Sequence, residues 1–141
     1  MKKALIGAVL GIAALSVAST ASAQVKPEDQ IKFRKAGYNV MAWNMGKIKG
    51  NLDGSYNKEQ VAAAAAAIAA VANSGMGALY GPGTDKDVGA QKTRAKPELF
   101  QNMEEVGKLA GNFNAAANNL AKVAATGDQA AVSAAFGEVG K

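Results

Sequence analysis

The residues of this sequence whose types and spacing could carry chemistry lie along one predicted helix face. Arg34, Tyr38, Met41 and Met45 follow one another at steps of 4, 3 and 4 residues, which is the spacing of one side of an α-helix. A guanidinium group can bind an anion, a phenol combines a flat apolar ring with a polar tip, and a thioether is a soft metal ligand. This face therefore indicates a site for a buried ligand that carries a carboxylate.

Two other interpretations of the same face remain open. An arginine near the start of a helix can extend its charged group to water, and methionines at helical spacing often pack in a core. A Cu(I) site formed by Met41 and Met45 is a further alternative, although two thioethers are few for such a site.

The absence of cysteine and histidine from the 141 residues excludes several kinds of chemistry. Without them there is no disulfide, thiolate nucleophile, Ser-His-Asp triad or typical zinc site. Covalent haem attachment through Cys-x-x-Cys-His is excluded as well. We therefore expect no enzyme activity from the protein's own side chains.

Four amphipathic helices are predicted to position these residues, and no segment alternates like a β-strand. Short links between the first and second helices, and between the third and fourth, favour antiparallel neighbours. The pattern predicts an all-α, antiparallel four-helix bundle, whose fourth helix is incomplete because the pattern stops at Lys141. The predicted helices cover residues 27–49, 58–73, 97–126 and 128–141.

Local signals mark the ends of the predicted helices. Asn57 followed by Gln60 resembles a capping box, Gly127 is placed as a helix stop, and Asp128 is placed as an N-cap. Gly50 with Asn51 is typical of a turn. Residues 74–95 form a long glycine-rich loop, and loops of this length in small domains are usually functional.

The first 23 residues have the layout of a secretory signal peptide. Lys2 and Lys3 precede an uncharged apolar stretch that ends in small residues at Ala23. Cleavage there predicts an exported chain of residues 24–141 with no membrane anchor. That chain has 14 basic and 11 acidic residues, hence a net charge of +3, which is too small to indicate nucleic-acid binding.

Four short motifs in the predicted exported chain resemble those of one family, the cytochrome c′ proteins and their low-spin cytochrome c-556 relatives. They occur in the family's order and together span nearly all of residues 24–141. The motifs are Lys26-Pro27-Glu28-Asp29 with Phe33-Arg34, then Tyr80-Gly81-Pro82-Gly83-Thr84, then Lys96-Pro97-Glu98-Leu99-Phe100, and finally Ala135-Phe136-Gly137-Glu138-Val139-Gly140.

The resemblance implies a periplasmic antiparallel four-helix bundle that holds haem c. It implies electron transfer with a redox partner protein, or binding of small gases such as nitric oxide and carbon monoxide. It also implies a homodimer formed through the first two helices.

The resemblance also implies roles for particular residues. Arg34 would pair with a haem propionate, with Lys35 beside it, and Tyr38 would lie over the distal face of the haem. The remaining residues implied to line the haem pocket are Met41, Met76, Tyr80, Phe100 and Met103.

The sequence departs from the family pattern at the haem-attachment motif. The resemblance places Cys-x-x-Cys-His a residue or two after Lys141, and the sequence ends before it. The favoured interpretation is a truncated form that cannot bind haem covalently and lacks the iron-ligating His. The alternative is a cofactor-free periplasmic helical bundle that acts as an interaction protein.

Overall fold

The computed structural model describes residues 25–141, so the predicted signal peptide, residues 1–23, lies outside the described residues. In the described part, no helix is long and apolar enough to cross a membrane. A 3₁₀ helix, Met76–Leu79, and a single β-bridge between Val88 and Gln91 lie in the long loop. The α-helices are α1 (Pro27–Asp53), α2 (Lys58–Ala72), α3 (Pro97–Gln101), α4 (Met103–Thr126) and α5 (Gln129–Val139).

The predicted N-caps at Asn57 and Asp128 and the helix stop at Gly127 are confirmed, but the capping box is not closed, because the Gln60 side chain accepts from Asn51 instead. The side-chain oxygen of Asn57 accepts a hydrogen bond from the backbone N–H of Gln60 at 2.8 Å, and Asp128 accepts one from Ala131 at 3.0 Å. Both bonds satisfy N–H groups that have no partner within a first helical turn. Gly127 ends α4 with φ +79°, a left-handed conformation that glycine adopts without steric cost.

The first helix is longer than the sequence predicts. Gly50 and Asn51 were expected to form a turn, but α1 continues to Asp53. The Asn51 side chain is buried; its amide donates to the carbonyl of Lys47 at 2.9 Å, and its oxygen accepts from the backbone N–H of Asn57 at 2.7 Å. The helix therefore continues because this asparagine is satisfied inside it and holds the following turn.

The third predicted helix is divided. The prediction of a continuous helix over residues 97–126 is wrong, because Asn102 leaves the helical conformation with φ −125° and ψ 44°. Its side-chain nitrogen donates to the carbonyl of Glu98 at 3.2 Å, and such local bonds compete with the helical backbone pattern. The third rod of the bundle is thus α3 followed by α4.

The long helices form the predicted antiparallel four-helix bundle. α1 packs against α2, α2 against α4, and α4 against α5. Ala64 and Ala65 on α2 are fully buried, and their small side chains let the neighbouring helices approach closely. The largest fully buried apolar side chains of the core are Ile31, Ile48, Val61, Ile68, Leu120 and Val132.

Coverage of α4 is uneven along its length. With a rise of 1.5 Å per residue, α4 is about 36 Å long and α5 about 16 Å. α5 follows Gly127, so it covers the C-terminal half of α4, where Ala117, Leu120 and Ala124 are buried. The N-terminal half of α4 contains no buried residue.

Candidate cofactor-binding site

An apolar cavity of about 520 Å³ lies beside the N-terminal half of α4. Its volume falls within the range of roughly 300–1,000 Å³ that is usual for small-molecule and cofactor sites. Two apolar side chains of α4 beside it are largely uncovered by the described chain, since Met103 is 44% exposed and Leu109 is 59% exposed. The residues that line it are Tyr38, Met41, Ala72, Asn73, Gly75, Met76, Gly77, Tyr80, Leu99, Met103, Val106, Leu109, Ala110, Phe113 and Asn114.

A second cavity, of about 670 Å³, adjoins the first and has a different chemical character. Three residues, Tyr38, Tyr80 and Leu99, line both cavities. The described residues that line the second cavity include no acidic side chain, so its basic groups favour an anion there. These basic residues are Arg34, Lys35, Lys92 and Arg94, and we call this second cavity the cationic cavity.

Arg34 is buried, being only 4% exposed, at the junction of α1 and the long loop. One terminal nitrogen donates to the Leu79 carbonyl at 3.3 Å and to the Thr84 hydroxyl at 2.9 Å. The other donates to the Thr84 carbonyl and to the Thr93 hydroxyl at 2.6 Å. The guanidinium carbon also lies 4.7 Å from the centre of the Tyr80 ring, within the range of a cation–π contact.

The two tyrosines meet at the boundary between the cavities. The hydroxyl oxygens of Tyr38 and Tyr80 are 3.1 Å apart, and the Phe100 ring lies at a tilt 6.3 Å from the Tyr80 ring. Burial, helped by the hydrogen bond with Tyr38, raises the pKa of the Tyr80 hydroxyl well above its ordinary value of 10, against the opposing charge of Arg34. Tyr80 therefore stays neutral well into the alkaline range.

The structure brings the predicted site residues to one end of the bundle. Tyr38, Met41, Tyr80 and Met103 line the apolar cavity, as does Met76 from the 3₁₀ helix. Arg34 and Lys35 line the cationic cavity. Phe100 is outside the lining of both and contacts the site through the Tyr80 ring. Tyr38 was expected to face inward, and it is 50% exposed because it borders the open cavities.

Sequence reasoning missed several residues of the site. Lys92, Thr93 and Arg94 belong to the long loop and line the cationic cavity. Thr84, an Arg34 partner, is fully buried. The signal that could have found them is the position of basic and hydroxyl residues in a loop expected to be functional.

The alternative metal site formed by Met41 and Met45 gains no support from the packing. Met41 is 5% exposed within the hydrophobic core, and Met45 packs against that core. No cluster of three or more acidic, His or Cys side chains that could hold a metal ion occurs in residues 25–141.

The family model described as Cytochrome C′ matches residues 29–141, which is most of the chain. The chain belongs to the cytochrome c′ family. Over 141 aligned residues it is 63% identical to the cytochrome c′ of Allochromatium vinosum, covering 99% of this chain and 92% of that protein. The family resemblance inferred from the four sequence motifs is confirmed.

Solved structures of the family share the fold. The crystal structure of cytochrome c′ from Thermochromatium tepidum is 68% identical, with a TM-score of 0.82, covering 84% of this chain and 90% of that chain. A second structure, 68% identical with a TM-score of 0.81, covers 82% of this chain and 88% of its own. It is described as a cytochrome c′ with an unusual ligand-controlled dimer dissociation.

Members of this family bind haem c, and the residues present fit a porphyrin. The macrocycle is flat and apolar and its two propionates are anionic, so it needs an apolar cavity with a cationic end. The two adjoining cavities have this arrangement, and the exposed apolar side chains of α4 provide the contact surface. Bound haem would supply an iron centre for electron transfer and for gas binding.

Proposed function

We propose that this chain is the haem-holding domain of a periplasmic protein that transfers electrons or binds small gases. The observation that carries the proposal is the apolar cavity joined to a cationic cavity through Tyr38, Tyr80 and Leu99. Solved cytochromes c′ from Alcaligenes xylosoxidans include a nitric oxide complex and a carbon monoxide-bound variant, which supports gas binding as one role.

The proposed tasks of the side chains follow from their positions. Tyr38 lies on α1 at the cavity boundary and would face the distal side of the macrocycle, while Met41 and Met103 would pack against its faces and edges. Tyr80 would close the loop side of the pocket, with Phe100 supporting its ring. We assign Arg34 and Lys35 to the cationic cavity, where their positive charges would favour the haem carboxylates.

We further propose that residues 1–23 direct export and that residues 24–141 form the single haem-binding domain. The sequence pattern of a short positive start, an apolar stretch and small residues before the cleavage position supports export.

The 141 residues lack the groups needed for covalent attachment of haem. They contain neither cysteine nor histidine, so they cannot form thioether bonds or supply a His ligand to iron. We propose that these residues shape the haem pocket and that a Cys-x-x-Cys-His segment is needed in addition to hold haem covalently. The alternative of a cofactor-free interaction protein is not favoured, because a tight bundle would not require an uncovered apolar cavity.

Adding that segment tests the proposal. The 141 residues followed by an added Cys-x-x-Cys-His segment, expressed with the haem c maturation system, should give a Soret band that survives acid–acetone extraction. Carbon monoxide should then shift that band. The matched control replaces both cysteines of the added segment with serine and should lose the extraction-resistant haem. An extended chain that folds without taking up haem would contradict the proposed function.

We propose that the protein forms a homodimer through the outer face of α1. Phe33, Val40 and Trp43 are respectively 49%, 43% and 65% exposed at helical spacing, and a similar cytochrome c′ is described with a dissociating dimer. Trp43→Lys should shift the sedimentation coefficient towards that of the monomer, whereas Lys49→Glu, an exposed change on the same helix, should not. Equal sedimentation of both variants at the dimer value would place the interface elsewhere.

A further inference from the structure

The hydrogen-bond donors of Arg34 are nearly all committed within the described chain. Each terminal nitrogen of a guanidinium carries two hydrogens, and each of these nitrogens donates two bonds to Leu79, Thr84 or Thr93. Of the N–H groups of the Arg34 side chain, only the Nε–H has no acceptor among residues 25–141. A carboxylate that approached Arg34 could therefore not form the usual paired bonds with both terminal nitrogens.

The acceptors of Arg34 are neutral and belong to one loop. They span residues 79–93, and Thr84 is fully buried, with its hydroxyl donating to the Gly81 carbonyl at 2.8 Å. A buried charge that meets several hydrogen-bond acceptors is held in place, because releasing it would leave a charge without partners in the interior. The geometry therefore fixes the loop on α1 and, with it, the Tyr80 ring beside the cavity.

Three other cations of the same cavity remain accessible. Lys35 and Arg94 lie on the exposed rim, and Lys92, also exposed, pairs with Asp87 at 2.9 Å. Lys35 makes only a long contact of 3.5 Å with Gln91. Their exposed positions let their charged groups reach a ligand in the cavity, which the committed terminal nitrogens of Arg34 cannot do.

We propose that Arg34 is a positioning residue that anchors the loop of residues 79–93 on α1, and that Lys35, Lys92 and Arg94 make the direct contacts with the carboxylates of the bound group. The second part rests on the proposed function, whereas the anchoring of the loop does not. Arg34 thus adds positive charge to the site without contacting the bound group, and the three exposed cations bind its carboxylates.

Limited trypsin digestion tests the anchoring without any ligand. The loop offers cleavage after Lys86, Lys92 and Arg94, and Lys122 on α4 is a reference site for global opening. Arg34→Lys keeps the charge but loses the planar fork. It should speed loop cleavage at least about tenfold, the factor expected for losing one hydrogen bond to a charged group, with cleavage after Lys122 unchanged.

Two conservative substitutions at Thr93 test the anchoring independently, in case the Arg34→Lys protein does not fold. Thr93→Val removes the hydroxyl that accepts from Arg34 at 2.6 Å, while Thr93→Ser retains it. Loop cleavage should rise several-fold in the valine variant and stay near that of the wild type in the serine variant. Equal cleavage in the two variants, or wild-type cleavage in a folded Arg34→Lys protein, would overturn the anchoring role.

Non-covalent binding of haem and of its dimethyl ester to the full chain tests the rim cations. The wild type should prefer the free dicarboxylate, and the ratio of affinities should fall to about one in Lys35→Gln/Lys92→Gln/Arg94→Gln. The control Lys49→Gln/Lys58→Gln/Lys122→Gln removes the same charge from exposed positions outside the lining of the cavities and should keep the preference. An equal ratio in both triple variants would overturn the carboxylate contact.

Failure of this test can be told apart from failure of the proposed function. If neither porphyrin binds the wild type, the proposed function and the carboxylate contacts are both overturned. The anchoring role is then decided by the digestion alone, since that measurement requires no porphyrin.

Discussion

The hydroxyl oxygens of Tyr38 and Tyr80 lie 3.1 Å apart, although the two residues are separated by 42 positions in the sequence. Both rings border the apolar and the cationic cavity, so this contact joins the α1 wall of the site to the loop wall. The same loop is bonded to Arg34 one helical turn away on α1. The shape of the site therefore depends on how firmly the loop is held.

The first prediction concerns alkaline pH. The pKa of Tyr80 is raised above its ordinary value of 10, chiefly by burial, so the unfolded chain loses this proton before the folded protein does. Stability from this group is fully present below pH 10 and is lost as the pH rises towards the folded-state value. The free energy of unfolding, measured by urea titration at several pH values, should fall above pH 10, and less steeply in Tyr80→Phe. Parallel slopes for the two proteins would contradict the assignment.

The second prediction compares two leucines on α4. Leu120 is fully buried in the core, and Leu109 is 59% exposed beside the apolar cavity. Leu120→Ala should lower the free energy of unfolding by about 2–5 kcal/mol, whereas Leu109→Ala should change it by less than about 0.5 kcal/mol.

Binding should show the opposite order for the same two variants. Leu109→Ala should weaken non-covalent porphyrin binding, because apolar contact area in the cavity is lost. A strongly destabilising Leu109→Ala would mean that this residue belongs to the core rather than to the site. Chemical denaturation and absorbance titration measure the two effects separately.

The third prediction concerns Tyr56, between α1 and α2. Its hydroxyl oxygen is buried and has no hydrogen-bond partner among the described residues, and burial raises its pKa. An unsatisfied buried hydroxyl is unfavourable, so Tyr56→Phe should leave the free energy of unfolding unchanged or raise it by up to about 1 kcal/mol. A loss of more than that amount would reveal a partner for the hydroxyl. Urea denaturation near neutral pH is the measurement.

The fourth prediction uses neighbouring alanines of α2. Ala65 is fully buried between helices, while the adjacent Ala66 is exposed. Ala65→Leu should destabilise the bundle by about 1–3 kcal/mol, since added volume in a packed interface forces strain. Ala66→Leu should have an effect below about 0.5 kcal/mol. Similar thermal unfolding of the two variants would show that α2 does not pack as closely as described.

Apolar periodicity predicted the four rods, because a helix that buries one face must repeat apolar residues at 3.6-residue spacing. It did not predict the break at Asn102, since one asparagine within a long periodic segment does not reveal which local hydrogen bonds it will make. It also failed to predict the exposure of Met103, which lies on the apolar face of the third rod. Periodicity identifies an apolar face but not what covers it.

The candidate site was predicted in part for a similar reason. A charged residue on an apolar face pointed to Arg34, and the helical repeat placed Tyr38 and Met41 beside it. Its partners Thr84 and Thr93 lie 50 and 59 residues away in an irregular loop, where no repeating pattern relates sequence to position.

The unequal coverage of α4 divides the bundle into two regions of different local stability. Amides near Leu120, between α2 and α5, should exchange with solvent deuterium only when the whole bundle opens. Amides near Met103 and Val106 should exchange through local fraying, because few buried contacts oppose it. A porphyrin seated against this half would slow that exchange, so ligand uptake would complete the folding of the protein at one end.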